Sequence, residues 1–262
     1  MTGLVAVVQR DLRAVARSRS QLYSSVLLPL MLLALLGTGV SDGLEPAALE
    51  DGDYTEFLVP GMVVMTALFS STFASASFYQ DRANGMLKMM LVSPAPPAAV
   101  LGGKALAAVV IGTLQAVFVL VVAALVPSID LNLQYGVIGS VVLAVLGIVI
   151  MNILLCGFAL LLATRIRTMQ GFHLVMNLVL FPLLFLSGAF FPLEDLPFWL
   201  RLLGYANPLT YAVDLLQLAL YADGSDGYIG VVADLAVLAG LLAILALPAV
   251  RLRPASLALS GA

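Results

Sequence analysis

Residues 136–163 read GVIGSVVLAVLGIVIMNILLCGFALLLA, twenty-eight positions without one charged side chain. A helix on a water-soluble domain buries one stripe and keeps the opposite face polar. This stretch has no polar face to offer water. As a helix it extends about 40 Å, more than the ~30 Å hydrocarbon core of a bilayer, and inside that core an isolated segment satisfies its backbone groups only as a helix. The stretch is expected to cross a membrane, and the fold to be an all-α integral membrane bundle.

The rest of the chain agrees. Hydrophobic residues make up 62% of it and charged residues 10%, against roughly 45–50% and 25% in soluble domains, which excludes an ordinary globular enzyme. Five further apolar runs are long enough to cross, at 22–40, 57–78, 100–126, 172–191 and 228–250, so six spans are expected within one domain, 1–262. The first run exceeds a signal-peptide core and no convincing cleavage site follows it, so it is expected to stay as a span. Cys156 stands alone in an apolar run and offers no disulfide within the chain.

Basic residues set the orientation, because Lys and Arg are retained on the cytoplasmic side. With alternating spans, Arg10, Arg13, Arg17, Arg19, Arg82, Lys88, Lys104, Arg165, Arg167, Arg251 and Arg253 fall on one side, and Arg201 alone falls opposite. The other side collects acids, among them Glu56, Asp130, Glu194, Asp195 and Asp214. Both termini are therefore expected in the cytoplasm.

The connections say more about function than the spans do. Within 1–21, Leu4, Val5, Val8, Leu12 and Val15 recur at helical spacing, with Arg10, Arg13 and Arg17 on the opposite side, the pattern of an amphipathic helix on the membrane surface. Such a helix serves as an anchor or as a collar for a cytoplasmic partner. The segment 80–97, QDRANGMLKMMLVSPAPP, reads as a short helix carrying Met86, Leu87, Met89 and Met90 and ended by prolines. Its apolar face is expected to meet either a partner or the membrane interface. Between the last two spans, residues 192–222 promise two short helices forming an outer hairpin, the second opened by Asn207 as N-cap and Pro208 in the first turn. Phe198, Trp199, Tyr205 and Tyr211 suit headgroup depth, so a re-entrant or interfacial element is expected.

Polar residues inside the spans are uncharged: Thr66, Ser70, Thr72, Ser75, Ser77, Gln115, Asn152, His173 and Asn177. Their ordinary role is hydrogen bonding between helices. A gradient-driven carrier is expected to bury acids or bases near mid-membrane, and the sequence suggests only Asp234, near one end of the last span. Catalytic signals are equally sparse. Gly102-Gly103-Lys104-Ala105 lacks the glycine spacing and the hydroxyl of a phosphate-binding loop, and neither a metal motif nor a nucleophile elbow occurs. The chain is expected not to be an enzyme and to bind no cofactor or metal.

Three stretches carry a family resemblance: Phe57-Leu58-Val59-Pro60-Gly61 opening the second run, 80–104 with its Leu-Val-Ser-Pro and Leu-Gly-Gly-Lys, and 186–214. Together they resemble the type-2 ABC transporter permeases, nearest to the daunorubicin and doxorubicin resistance type. Ala83, Met86, Lys88 and Gln217 depart from that family's common residues. The resemblance implies a membrane subunit of a bacterial inner-membrane exporter of drugs, antibiotics, lipids or polysaccharide. It implies two ATP-binding subunits carrying ATP and Mg, a second permease chain, identical or related, and membrane lipid as the other partner, with no nucleic acid. It assigns coupling to Arg82, Gly85, Leu87, Leu91 and Pro94, assisted by the interfacial helix with Arg10, Arg13 and Arg17. Phe191, Pro192, Trp199, Asn207, Pro208 and Tyr211 would shape an outer gate. By depth and polarity, Ser70, Phe73, Ser77 and Asn152 are candidates for the substrate path. Two readings of other classes remain: a gradient-driven secondary transporter, and a non-transport assembly or immunity protein.

Overall fold

The computed structural model describes residues 2–41, 54–86, 89, 97–126, 129, 133, 135–166, 168–221 and 230–251. Among them every regular element is helical. They are α1 (Thr2–Arg17), α2 (Arg19–Ser41), α3 (Tyr54–Ala83), α4 (Pro97–Ala124), α5 (Gly136–Arg165), α6 (Met169–Phe185), α7 (Phe198–Tyr205), α8 (Pro208–Leu220) and α9 (Val231–Arg251), with a 3-10 turn at Leu193–Asp195.

Among the described residues three helices are long and apolar enough to cross a bilayer: α3, α4 and α5, through their stretches Tyr54–Asp81, Ala99–Ala124 and Gly136–Ala163. The runs expected at 22–40, 172–191 and 228–250 correspond to shorter apolar helices, Tyr23–Gly37, Met169–Phe185 and Val231–Leu245. The clearest difference lies at the fifth run, where α6 ends at Phe185 and residues 186–191 turn away. Gly188 is the reason for the turn, since its φ of 79° is a conformation that ends a helix and that other residues resist. The first boundary also shifts, with α1 stopping at Arg17 and α2 starting at Arg19 around a single break at Ser18.

α3 is the central helix. The chain buries 78% of its apolar window, against 39% and 44% for α4 and α5. Its residues Leu58, Val59, Met62, Val63, Val64 and Ala67 are fully buried in the main apolar cluster, with Ala116 and Val119 of α4, Ala144, Ile148 and Met151 of α5, and Phe172 and Met176 of α6. The outer faces of α4 to α6 stay apolar and exposed, as Leu114, Phe118, Val121 and Leu125 on one side and Leu174, Leu178, Phe181 and Phe185 on another. Stripes of that kind at spacings of three and four belong against lipid or another membrane chain.

α7 and α8 differ sharply. On α7, Phe198, Trp199, Leu202 and Leu203 are exposed. On α8, eleven of thirteen residues are buried. One face of α8, with Leu209, Ala212, Val213 and Leu216, enters the central cluster, while Tyr211 and Leu215 meet Leu235, Leu238 and Leu242 of α9. Gly147 of α5 lets α8 approach, because a Cβ there would lie 2.8 Å from Leu215 Cδ2.

Candidate functional site

Four charged side chains meet where α3 ends, and they come from three helices. Arg10 and Asp11 belong to α1, Asp81 to the last turn of α3 and Lys104 to the second turn of α4. Arg10 Nη2 lies 2.5 Å from Asp11 Oδ1 and 2.7 Å from Asp81 Oδ2, while Lys104 Nζ lies 2.5 Å from Asp81 Oδ2 and 3.3 Å from Asp11 Oδ2. Each cation thus touches both carboxylates. The Lys104 side chain is 4% exposed and those of Asp11 and Asp81 are 12% and 15%. Burial disfavours the Arg10 charge, but hydrogen bonds to Asp81 and Asp11 outweigh it and raise its pKa above the ordinary value. Arg10 Nη1 also reaches Met86 Sδ at 3.0 Å, which extends the cluster into the turn beyond α3.

Local sequence builds this arrangement from small residues. α1 lies on α4 because Gly103 leaves room: a Cβ there would sit 2.9 Å from Val7 Cβ and 3.1 Å from Leu4 O. That close approach carries Asp11 over Lys104. The far end of α3 is pinned from its other side, since the Tyr79 hydroxyl lies within donating distance of Ala163 O (3.2 Å) and Ile166 O (3.1 Å) and its ring packs on Phe172. α3 then stops at Gly85, whose φ of 71° terminates the helix, and Met89 N donates back to Gly85 O at 3.2 Å.

Of the residues assigned to coupling, Gly85 is this turn, and Arg82 contributes backbone to α3 while its side chain lies outside the described residues. Leu87, Leu91 and Pro94 also lie outside them. The interfacial arginines divide. Arg13 and Arg17 are exposed, whereas Arg10 is partly buried and reaches Asp81. Sequence patterning assigned no site role to Asp11, Asp81 or Lys104. Asp11 was the available signal, an acid on the same helical face as Leu4, Val7 and Val15.

The substrate-path candidates separate in the same way. Ser77 belongs to the charge cluster, within 3.5 Å of Lys104 Nζ. Ser70 and Phe73 line one small cavity with Gln115, and Asn152 joins Ser70 around Gly112. In the outer hairpin, Asn207 acts as N-cap, with Oδ1 accepting from Leu209 N at 3.0 Å and Nδ2 donating to Leu183 O at 2.5 Å. Pro208 takes the first position of α8, and the Tyr211 hydroxyl donates to Tyr205 O at 2.7 Å. Phe191 and Trp199 remain exposed, and Pro192 leads into the 3-10 turn. Asp214, assigned to the outer side by alternation of the spans, is 1% exposed within the bundle, and Asp234 is fully buried. α8 carries Asp214 inward because both faces of that helix are covered.

The chain matches the family model described as ABC-2 type transporter over residues 2–221. It is 30% identical over 174 residues to the "Probable multidrug ABC transporter permease YbhR" of Escherichia coli strain K12, covering 66% of this chain and 46% of that protein. It is 28% identical over 223 residues to the "Putative transport permease ycf38" of Cyanophora paradoxa, covering 85% and 75%. Similarity to "Nodulation protein J" of Bradyrhizobium diazoefficiens is 27% over 194 residues, covering 73% and 71%. The chain spans about half the length of the first of these relatives.

Proposed function

Since the chain belongs to the ABC-2 type transporter family, we propose that it is the membrane-spanning permease of an ATP-driven exporter. Its cargo is an amphipathic drug, antibiotic or lipid-like molecule taken from the cytoplasm or inner leaflet, with polysaccharide as the alternative cargo. ATP and Mg belong to two copies of a separate ATP-binding subunit, and the permease works as a pair, with a second copy or a related chain. Six spans in the bacterial inner membrane with cytoplasmic termini complete the reading, and the outer hairpin dips back toward the bilayer.

The observation that carries it is the charge cluster joining α1, the end of α3 and the start of α4. An ATPase shifts a permease between two states only by binding them differently. A subunit pressing on 80–97 needs a rigid connection into the bundle, and the cluster supplies one: it ties the turn at Gly85 and Met86 through Arg10 to α1 and through Asp81 and Lys104 to α3 and α4. Arg82, Gly85, Leu87, Leu91 and Pro94 are the residues proposed to couple to that subunit.

Purification of the tagged chain from its native membrane, with Leu87→Asp and Lys104→Met variants, tests the reading. The wild type is expected to retain an ATP-hydrolysing subunit in stoichiometric amount. Leu87→Asp loses that subunit, whereas Lys104→Met keeps it but fails to couple hydrolysis to export. Absence of any ATPase even after crosslinking overturns the proposal. The burial of Asp214 and Asp234 favours a second reading, a gradient-driven carrier. Export that follows the proton gradient and ignores ATP depletion would select it.

A further inference from the structure

Among the described residues, Ser70 Oγ on α3, Gln115 Oε1 on α4 and Asn152 Oδ1 on α5 are three of the buried oxygens without a hydrogen-bond partner. Their residues are 3%, 8% and 0% exposed. Buried polar atoms are nearly always paired, so such orphans call for an explanation. Neighbouring hydroxyls show the ordinary solution. Thr66, Ser71, Thr72 and Ser77 each donate to a carbonyl of their own helix at 2.7–2.9 Å. Ser70 does not follow them.

Two of them, Ser70 Oγ and Asn152 Oδ1, approach a bare stretch of α4. A Cβ built on Gly112 would lie 3.2 Å from Ser70 Oγ and would overlap Asn152 Oδ1, so both oxygens flank the same glycine. Asn152 Nδ2 donates to Ile148 O at 2.9 Å, which turns Oδ1 toward that glycine. Gln115 follows one helical turn later and lines a cavity with Ser25, Ser70, Val15, Phe73, Ala74 and Ile111. The cavity is the size of one water molecule and otherwise largely apolar.

We propose that Ser70 and Gln115, with Asn152 close to Ser70 across Gly112, form a binding site for the hydrogen-bond-donating head, hydroxyl or amine, of an amphiphile whose tail lies along Phe73 and Ile111. The proposal rests on the transport reading and names the chemistry its cargo presents. Gln115 Oε1 and Asn152 Oδ1 only accept, and Ser70 Oγ accepts as well as donates, so the site favours N–H and O–H groups and disfavours an anionic head. A quaternary ammonium brings charge but no donor and gains nothing there. The cavity admits only a small head, and the aliphatic and aromatic residues that line it suit an apolar tail.

The test uses the full chain in lipid nanodiscs, titrated with decanol, decylamine, decyl methyl ether and decyltrimethylammonium while the melting temperature is followed. Decanol, decylamine or both raise it saturably, and which of them does so identifies the head; the ether and the quaternary ion do not. Gln115→Met and Ser70→Ala each weaken that binding about tenfold, the worth of one hydrogen bond. If Gln115→Met fails to fold, Ser70→Ala, the smaller change, decides. Equal shifts for all four probes, unchanged binding in a folded variant, or no binding of either donor, which leaves the cavity to water, would overturn the proposal. Such a result alongside a co-purifying ATPase leaves the exporter reading standing, so the two failures are distinguishable.

Discussion

Lys104 has an ammonium almost wholly removed from solvent, and its two partners are carboxylates on two other helices. Removing one member of a buried, hydrogen-bonded charge group leaves the rest uncompensated, which typically costs about 3–5 kcal/mol. Lys104→Met is therefore expected to lower stability by about 3 kcal/mol, because Asp81 and Asp11 then share Arg10 alone. Arg10→Met is expected to cost about 1 kcal/mol, since a third of that side chain faces solvent and is screened. Urea unfolding of the two variants checks the ranking; equal losses would mean that the cluster is no more buried at Lys104 than at Arg10. Asp81→Asn placed on Lys104→Met should cost less than it does alone, the non-additivity expected of one network.

Among the helices, α8 holds its position through its start. Asn207 caps the helix and at the same time ties it to Leu183 O of α6, and Thr210 donates to Gly204 O at 2.7 Å. Asn207→Ala removes a cap worth ~1 kcal/mol and leaves a carbonyl without its donor, for a total loss of about 2 kcal/mol. Phe198→Ala, on an exposed position of α7, should stay within ~0.5 kcal/mol. A melting curve in one detergent separates them, and comparable losses would show that α7 is packed rather than exposed. On α1, Gly103→Ala is expected to cost about 1–3 kcal/mol, because the added methyl meets Val7 and the Leu4 carbonyl, which sit on backbone that has to shift. A silent Gly103→Ala would show that α1 rides loosely on α4.

At the scale of the whole molecule, the exposed stripe Leu174, Leu178, Phe181 and Phe185 on α6 adjoins a shallow pocket lined by Phe69, Thr72 and Asn177. If the permease works as a pair and the pair meets here, Leu178→Cys should crosslink between chains in the membrane, while a cysteine at Val137, on the exposed start of α5, should not. The reverse pattern would move the contact between permeases to the α5 face. The small cavity at Ser70 and Gln115 lies between helices of one chain, so the ligand binding proposed there is expected to survive dilution to single chains.

Charge-free stretches of twenty residues and more make the helices legible in the amino-acid sequence itself, because lipid admits no other regular form for an isolated segment. Asn207-Pro208 likewise announces the start of α8, since a cap and a first-turn proline act over three or four residues. Gly188 shortens α6 against expectation, and the glycine is visible in the sequence although its conformation is not. What periodicity does not disclose are the meetings: Arg10 with Asp81 across 71 residues, Lys104 with Asp11 across 93, and Asp214 drawn inside by a helix covered on both faces. Local sequence determines which face of a helix is apolar and where the helix stops, because those are short-range properties of backbone and solvent. Which polar side chains within the bundle face one another depends on how closely the helices pack, and the glycines at 103, 112 and 147 give that packing only once their neighbours are in place.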